Sequence, residues 1–220
     1  MRQTDKLKSS LGYFLRTMFD LMVLNGLWFL CSLPLVTIGP ATCALYSVTL
    51  KLARDEDASA VKGFFLAFRD NLKAGFLLEL MALVLGVVAG VDAWFALQQT
   101  GLFQTVYLVV AVIIGAVFLT FLCYTFPLQA MFRNSLKVQI KNAFALAFVS
   151  PVKTIMLWLI TLFPIAAALL LPRNIVGILG FLYLMVGFSG PVFLNSRILR
   201  DVFDKVNGSP VIPVPTMEED

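Results

Sequence analysis

The sequence predicts an all-α polytopic integral membrane protein. Hydrophobic residues make up 60% of the 220 residues and charged residues only 14%, whereas soluble domains are about half apolar and about a quarter charged. Several apolar runs approach about 20 residues, the length at which a helix crosses about 30 Å of hydrocarbon. Because a soluble chain this apolar could not cover its surface, we expect the lipid bilayer to surround it.

We predict six transmembrane helices, arranged as three hairpins within a single domain of residues 1–206. The predicted spans are approximately residues 17–33, 40–53, 74–97, 102–126, 152–171 and 174–196. The segment 207–220 is rich in proline and ends in three acidic residues. Such a composition predicts a disordered tail, which we place in the cytoplasm.

The first two spans depend on how the break between them is interpreted. One straight helix from Met18 to Ala53 would be roughly 54 Å long at 1.5 Å per residue, too long for the bilayer. Pro34, Gly39 and Pro40 lie in the middle of this stretch and disfavour a continuous helix. The stretch is therefore a hairpin of two spans, or one span followed by a surface segment.

The distribution of basic residues favours the hairpin. With six spans and both termini in the cytoplasm, sixteen of the seventeen basic residues lie inside and only Arg173 lies outside. This asymmetry follows the positive-inside rule, and a five-span arrangement fits it less well. The weak point is the second span, which is short and carries hydroxyl side chains, so protein or a thinned bilayer has to cover it.

The three hairpins share sequence features. Each returning helix carries a proline, namely Pro40, Pro127 and Pro191, and Gly39-Pro40 recurs as Gly190-Pro191. Phe132-x-Asn134-Ser135 likewise resembles Phe193-x-Asn195-Ser196. Internal repeats are common in transporter folds, although short apolar words also match by chance.

The linkers between the hairpins are predicted to be amphipathic cytoplasmic helices. Val61, Phe64, Phe65, Phe68 and Leu72 share one helical face of the first linker. Such helices lie flat at the membrane interface, where they either float on the headgroups or dock a partner.

The composition argues against an enzyme. The chain has no histidine, its three cysteines are isolated, and no hydrolase, zinc-protease or nucleotide-binding motif occurs. We therefore predict no catalytic residue, metal or cofactor. The net charge of +4 is carried by basic residues outside the apolar runs, so it reports orientation in the membrane and indicates no nucleic-acid partner.

A few polar residues within the apolar runs are candidates for function. Glu79 follows Lys73 by six residues, roughly 9 Å of helix, and is either a functional carboxylate or a snorkelling partner of Lys73 or Arg69. Asp92 lies near the outer end of the third predicted span. Asn25 is the deepest polar side chain and can hydrogen-bond across helices.

The break and its flanks carry a recognisable motif. Asn25-x-x-Trp28, Leu33-Pro34-x-x-Thr37-x-Gly39-Pro40-Ala41 and Ala44-x-Tyr46 resemble the signature of the YesL-like family of bacterial membrane proteins, a domain of unknown function. The resemblance implies an accessory role beside carbohydrate ABC importers in a bacterial cell membrane, with permease subunits as partners. It implies no catalytic residues.

The motif allows two structures for the break. In the first, Pro34 ends one helix, Pro40 starts the next, and Thr37 caps it in a tight extracellular hairpin. In the second, the break is non-helical and lines a polar cavity inside the protein. The resemblance and the lack of catalytic motifs suit an accessory subunit of a carbohydrate ABC importer, whereas six spans and possible repeats also allow a transporter in its own right.

Overall fold

The computed structural model describes residues 2–56, 58–132, 134–172, 177, 180 and 183–206. All the regular elements in this part of the chain are helices. A short 3-10 turn, Leu35–Thr37, separates the first two, and the α-helices are α1 (Arg2–Cys31), α2 (Ile38–Ala53), α3 (Ala60–Asp70), α4 (Leu72–Gln98), α5 (Gly101–Met131), α6 (Leu136–Val149), α7 (Pro151–Leu170) and α8 (Ser189–Val206). The predicted tail, 207–220, lies outside the described residues.

Five stretches of the described chain are long and apolar enough to cross a membrane. They are Gly12–Cys31, Leu35–Ala53, Leu72–Gln98, Gly101–Met131 and Pro151–Leu170. The sixth predicted span, 174–196, falls partly outside the described residues, and α8 begins only at Ser189. The structure is thus all-helical with five candidate spans, and the count of six stays a prediction.

Helix α2 forms the centre of the molecule. It packs against α1, α3, α4, α5 and α8, and 12 of its 16 residues are buried. Small and short side chains on α2, such as Ala41, Ala44 and Thr49, let its neighbours approach closely. This packing explains how a helix with several hydroxyl groups is accommodated among apolar helices.

Helices α4 and α5 form a long antiparallel hairpin joined by two residues. Gly101, which opens α5, has a φ of +68°, a backbone conformation that glycine adopts without strain. Many bulky apolar side chains of this hairpin are exposed, among them Leu83, Val87, Val91, Val109, Val112 and Ile113. Exposed apolar surface of this extent is typical of helices surrounded by lipid or by a partner protein.

The two linkers form helices, and both pack on the bundle. The predicted apolar stripe of α3 is only partly buried. Phe64 is fully buried against the core around α2, whereas Val61 and Phe65 are about half exposed. In α6, Gln139 is buried and its Nε2 donates a 3.3 Å hydrogen bond to the carbonyl of Thr125 in α5. Both linker helices therefore pack against their own protein, and they do not only lie on the headgroups.

One end of the bundle gathers charged groups. Arg54 after α2 pairs with Asp204 of α8 at 2.8 Å, and Lys153 at the start of α7 pairs with Asp201 of α8 at 3.3 Å. Partial burial alone would raise the pKa of Asp201, but the hydrogen bonds and charges of Lys153 and Arg200 outweigh it and hold that pKa below its usual value. Both pairs are partly exposed, so they orient α8 more than they stabilise the fold.

Candidate functional site

The start of α2 lies directly against α4 through two glycines. A Cβ on Gly39 would collide with the carbonyl oxygen of Gly75, and a Cβ on Gly75 would lie 2.6 Å from the nitrogen of Pro40 and 2.7 Å from its Cα. Real Cβ atoms do not approach backbone atoms this closely. Only glycine at both positions allows the two backbones to meet here.

Glu79, one turn after Gly75, caps α2 from the neighbouring helix. Its Oε2 accepts a 3.0 Å hydrogen bond from the backbone N–H of Gly39. The first N–H groups of a helix have no partner within it, and a carboxylate at this end also interacts favourably with the helix dipole. Of the two expectations for Glu79, a functional carboxylate or a snorkelling partner of Lys73 or Arg69, the second names other partners than the structure does: the hydrogen bond of Glu79 goes to the N-terminus of α2.

Thr37 precedes α2 but makes no side-chain cap. Its hydroxyl group instead lies 2.6 Å from the carbonyl oxygens of Cys31 and Pro34. The expected capping role of Thr37 is therefore wrong: its side chain closes the turn behind it, and Glu79 supplies the cap. Helix α1 already ends at Cys31, so Pro34 does not end it as expected but precedes the 3-10 turn, while Pro40 lies in the first turn of α2.

Asn25 of α1 performs the same task for α8. Its Oδ1 accepts hydrogen bonds from the backbone N–H groups of Phe188 at 2.9 Å and Ser189 at 3.2 Å, and its Nδ2 donates to the carbonyl of Leu184 at 2.8 Å. Asn25 is only 3% exposed, so these bonds satisfy groups that no solvent reaches. The two helices that carry Gly-Pro in their first turn are thus both capped by a polar side chain from another helix.

Trp28 joins the two capped helix starts. Its indole Nε1 donates a 3.1 Å hydrogen bond to Thr42 Oγ1 on α2. Its ring stacks on Phe188, next to the start of α8, with centroids 3.9 Å apart and planes inclined by 29°. The motif residues of α1 therefore hold α2 and α8 together at the same level of the bundle.

A cavity of about 510 Å³ opens between these elements. Its polar lining residues are Thr42, Tyr46, Glu79, Thr161 and Asn195, and its aromatic lining residues include Trp28, Phe118, Phe126, Tyr183 and Phe188. The described residues that line it include neither lysine nor arginine. Its volume is in the range of small-molecule sites, and so is the combination of an apolar wall with a few polar groups.

Asn195 of α8 is the most deeply buried polar group of this cavity. It is 2% exposed, and its Nδ2 donates a 3.2 Å hydrogen bond to Thr161 Oγ1 of α7. Its Oδ1 meets the geometry of a hydrogen bond with no described residue, although the side chain of Tyr46 lies beside the amide. A buried amide oxygen without a partner costs free energy unless a ligand or water donates to it.

The structure brings together several residues of the motif and the separate polar candidate Glu79. Trp28, Gly39, Tyr46 and Glu79 line the cavity, and Asn25 caps the helix beside it. Asp92 lies elsewhere, in the distal half of α4, where its Oδ2 is buried without a partner in the described structure.

Sequence reasoning missed three residues of this region: Gly75, Thr161 and Asn195. Gly75 lies one turn before Glu79. Asn195 belongs to the Phe-x-Asn-Ser motif, which occurs twice in the chain. Either pattern could have indicated them. Thr161 has no comparable signal in the sequence, because a hydroxyl in an apolar helix is common.

The chemistry available here is binding chemistry. The site offers one carboxylate, one amide, hydroxyl groups and aromatic faces, which can hydrogen-bond a polar solute and pack against its apolar faces. Among the described residues, no three His, Cys, Asp or Glu side chains lie close enough together to hold a metal ion.

About a third of the chain, in its N-terminal half, matches a known family model. The model described as "Protein of unknown function, DUF624" matches residues 21–93, which include Asn25, Trp28, the start of α2 and Glu79. The match covers less than half of the chain. No curated protein and no solved structure matches the chain.

Proposed function

We propose that this chain is a non-enzymatic, multi-pass protein of a bacterial cell membrane that serves carbohydrate uptake as an accessory subunit of an oligosaccharide ABC importer. Both termini lie in the cytoplasm in this proposal, because the basic residues cluster on that side. The exposed apolar faces of α4 and α5 offer contact surface to lipid and to permease subunits.

The cavity beside Glu79 is the observation that carries the proposal. A carboxylate, an amide with an unpartnered oxygen and several hydroxyl groups can exchange hydrogen bonds with the hydroxyl groups of a sugar. The surrounding aromatic rings can pack against the apolar face of a sugar ring. A cavity of about 510 Å³ lies within the range of about 300–1,000 Å³ that is typical of small-molecule sites.

A transporter in its own right is the second candidate, and the two capped helix starts favour it. In secondary transporters, helices that begin within the membrane domain point their N-termini at the substrate site. Here α2 and α8 both begin beside one cavity, with Glu79 and Asn25 as their caps. The same geometry would suit a substrate path through the bundle.

Two measurements test and separate these candidates. For an accessory subunit we expect permease subunits to co-purify from the native membrane in mild detergent, as identified by mass spectrometry, and oligosaccharides to raise the Tm of the purified chain. Asn195→Leu should abolish the sugar-dependent rise in Tm, whereas Leu194→Ala, at a half-exposed neighbour, should keep it.

Sugar uptake by proteoliposomes that contain this chain alone would favour the transporter. The absence of both co-purification and any sugar effect would contradict the first candidate.

A further inference from the structure

The turn between α1 and α2 exposes a continuous set of bulky apolar side chains. We define the turn tip as residues 29–36. Its exposed members are Phe29 (51%), Leu30 (62%), Leu33 (64%), Leu35 (75%) and Val36 (59%). Between Asp20 and Lys51 the sequence has no charged residue. A turn that faced water would be expected to carry polar residues at such positions.

The depth of the turn tip can be measured against α4. The start of α2 touches α4 at Gly75 and Glu79, and α4 then continues for 19 residues from Glu79 to Gln98. At 1.5 Å per residue this is about 28 Å of helix. Even at a tilt of about 40°, the upper end for transmembrane helices, it rises about 21 Å along the membrane normal.

Helix α5 gives the same result independently. Its residues that share the cavity with the start of α2 include Leu122, Cys123 and Phe126, whereas α5 begins at Gly101. From Gly101 there is about 25 Å of helix to Phe118, which also lines the cavity, and about 30 Å to Leu122. If the loop between α4 and α5 lies at one surface of a hydrocarbon layer about 30 Å thick, the turn tip lies within that layer and on the opposite side of its midplane.

The hydrogen bonds of the turn also suit a setting without water. Pro34 and Pro40 have no N–H group to satisfy, the N–H of Gly39 is bound by Glu79, and the hydroxyl of Thr37 lies within hydrogen-bond distance of the carbonyls of Cys31 and Pro34. Non-helical backbone at membrane depth is tolerated where such internal partners exist. Ser32 is the exception in the turn tip, because its Oγ has no hydrogen-bond partner among the described residues.

We infer that α1 and α2 form a re-entrant pair, in which the turn tip is embedded in the hydrocarbon and contacts lipid acyl chains. The pair enters and leaves the bilayer at the charged end of the bundle, so the basic residues in the N-terminal half of α1 and those at and after the end of α2 stay on one side. The inference replaces the extracellular turn expected from the motif. It does not depend on the proposed role in carbohydrate uptake.

Cysteine labelling with a membrane-impermeant maleimide tests this inference. The background variant carries Cys31→Ala, Cys43→Ala and Cys123→Ala, which removes the native thiols. Single cysteines are then placed at Val36 and Leu35 in the turn tip, at Gln98 at the end of α4, and at Ser59 in the loop before α3. Each variant is labelled in right-side-out and in inverted membrane vesicles, and again after denaturation in SDS and urea.

We expect Val36→Cys and Leu35→Cys to be labelled from neither side and to react fully once denatured. Gln98→Cys should react only in right-side-out vesicles and Ser59→Cys only in inverted ones. Labelling of both turn-tip cysteines from the outside, at the rate of Gln98→Cys, would overturn the inference. Labelling from the inside, at the rate of Ser59→Cys, would overturn it as well, because the tip would then lie in water.

For a variant that fails to fold in the cysteine-free background, the buried Cys43 and Cys123 are restored, Cys31→Ala is kept, and the same substitution is spin-labelled. A nitroxide at position 36 should relax with oxygen, which concentrates in lipid, and not with a water-soluble nickel chelate. The opposite preference would contradict a site in the hydrocarbon.

Discussion

Glu79 shows how one carboxylate fixes the start of a helix inside an apolar bundle. It lies on α4, forty residues along the chain from Gly39, whose backbone N–H donates to it. Asn25 plays the equivalent role for α8 with two accepted hydrogen bonds. Because unsatisfied N–H groups are costly where water is excluded, these two side chains are the residues on which the positions of α2 and α8 depend most.

Replacing Glu79 by leucine should therefore destabilise the fold. Glu79→Leu leaves the N–H of Gly39 without an acceptor, which costs about 1–3 kcal/mol. Glu79→Gln keeps an acceptor oxygen of nearly the same shape and should lose less than half as much. Unfolding in SDS titrations of both purified variants gives the comparison, and equal losses for leucine and glutamine would show that the hydrogen bond is not what matters.

At the scale of single elements, the sequence predicted most of the helices and turns, but it did not predict which elements contact one another. Proline, glycine and apolar runs located the turn before α2 and the helical linkers, because these signals are local. The partner of Glu79 could not be predicted, since counting from Lys73 gives a depth along α4 but says nothing about which helix lies beside it. Hydropathy likewise gave span lengths but not the offset of the first hairpin against α4.

The contact between α2 and α4 can be tested with two glycines of the same helix. Gly75 lies against the backbone of Pro40, whereas a Cβ on Gly90 would meet nothing within 4 Å. Replacing glycine by alanine stabilises a helix by about 1 kcal/mol at either position. The difference in stability between the two variants therefore isolates the effect of crowding at Gly75. Gly75→Ala should be less stable than Gly90→Ala by about 2 kcal/mol, the typical cost of overpacking, as measured by SDS titration. Equal stabilities would mean that the two helices do not meet at Gly75.

At the scale of the whole molecule, α2 lies at the centre and the α4–α5 hairpin extends well beyond its start. The cavity, the two capped helix starts and the turn tip all lie at one level, while about 28 Å of α4 continues past that level. A bundle of unequal hairpins leaves the distal half of α4 and α5 with little protein cover. Lipid or a partner subunit has to cover this surface. In the proposed accessory role, permease subunits bind there.

The offset between the two hairpins is the central claim, and one distance measures it. With spin labels at Val36 and Gln98 of the chain in lipid nanodiscs, pulsed EPR reports the separation of the turn tip from the end of α4. The 19 residues of helix between Glu79 and Gln98 predict a distribution centred at about 30 Å. A distribution centred below about 20 Å would place both turns at the same surface and contradict the account.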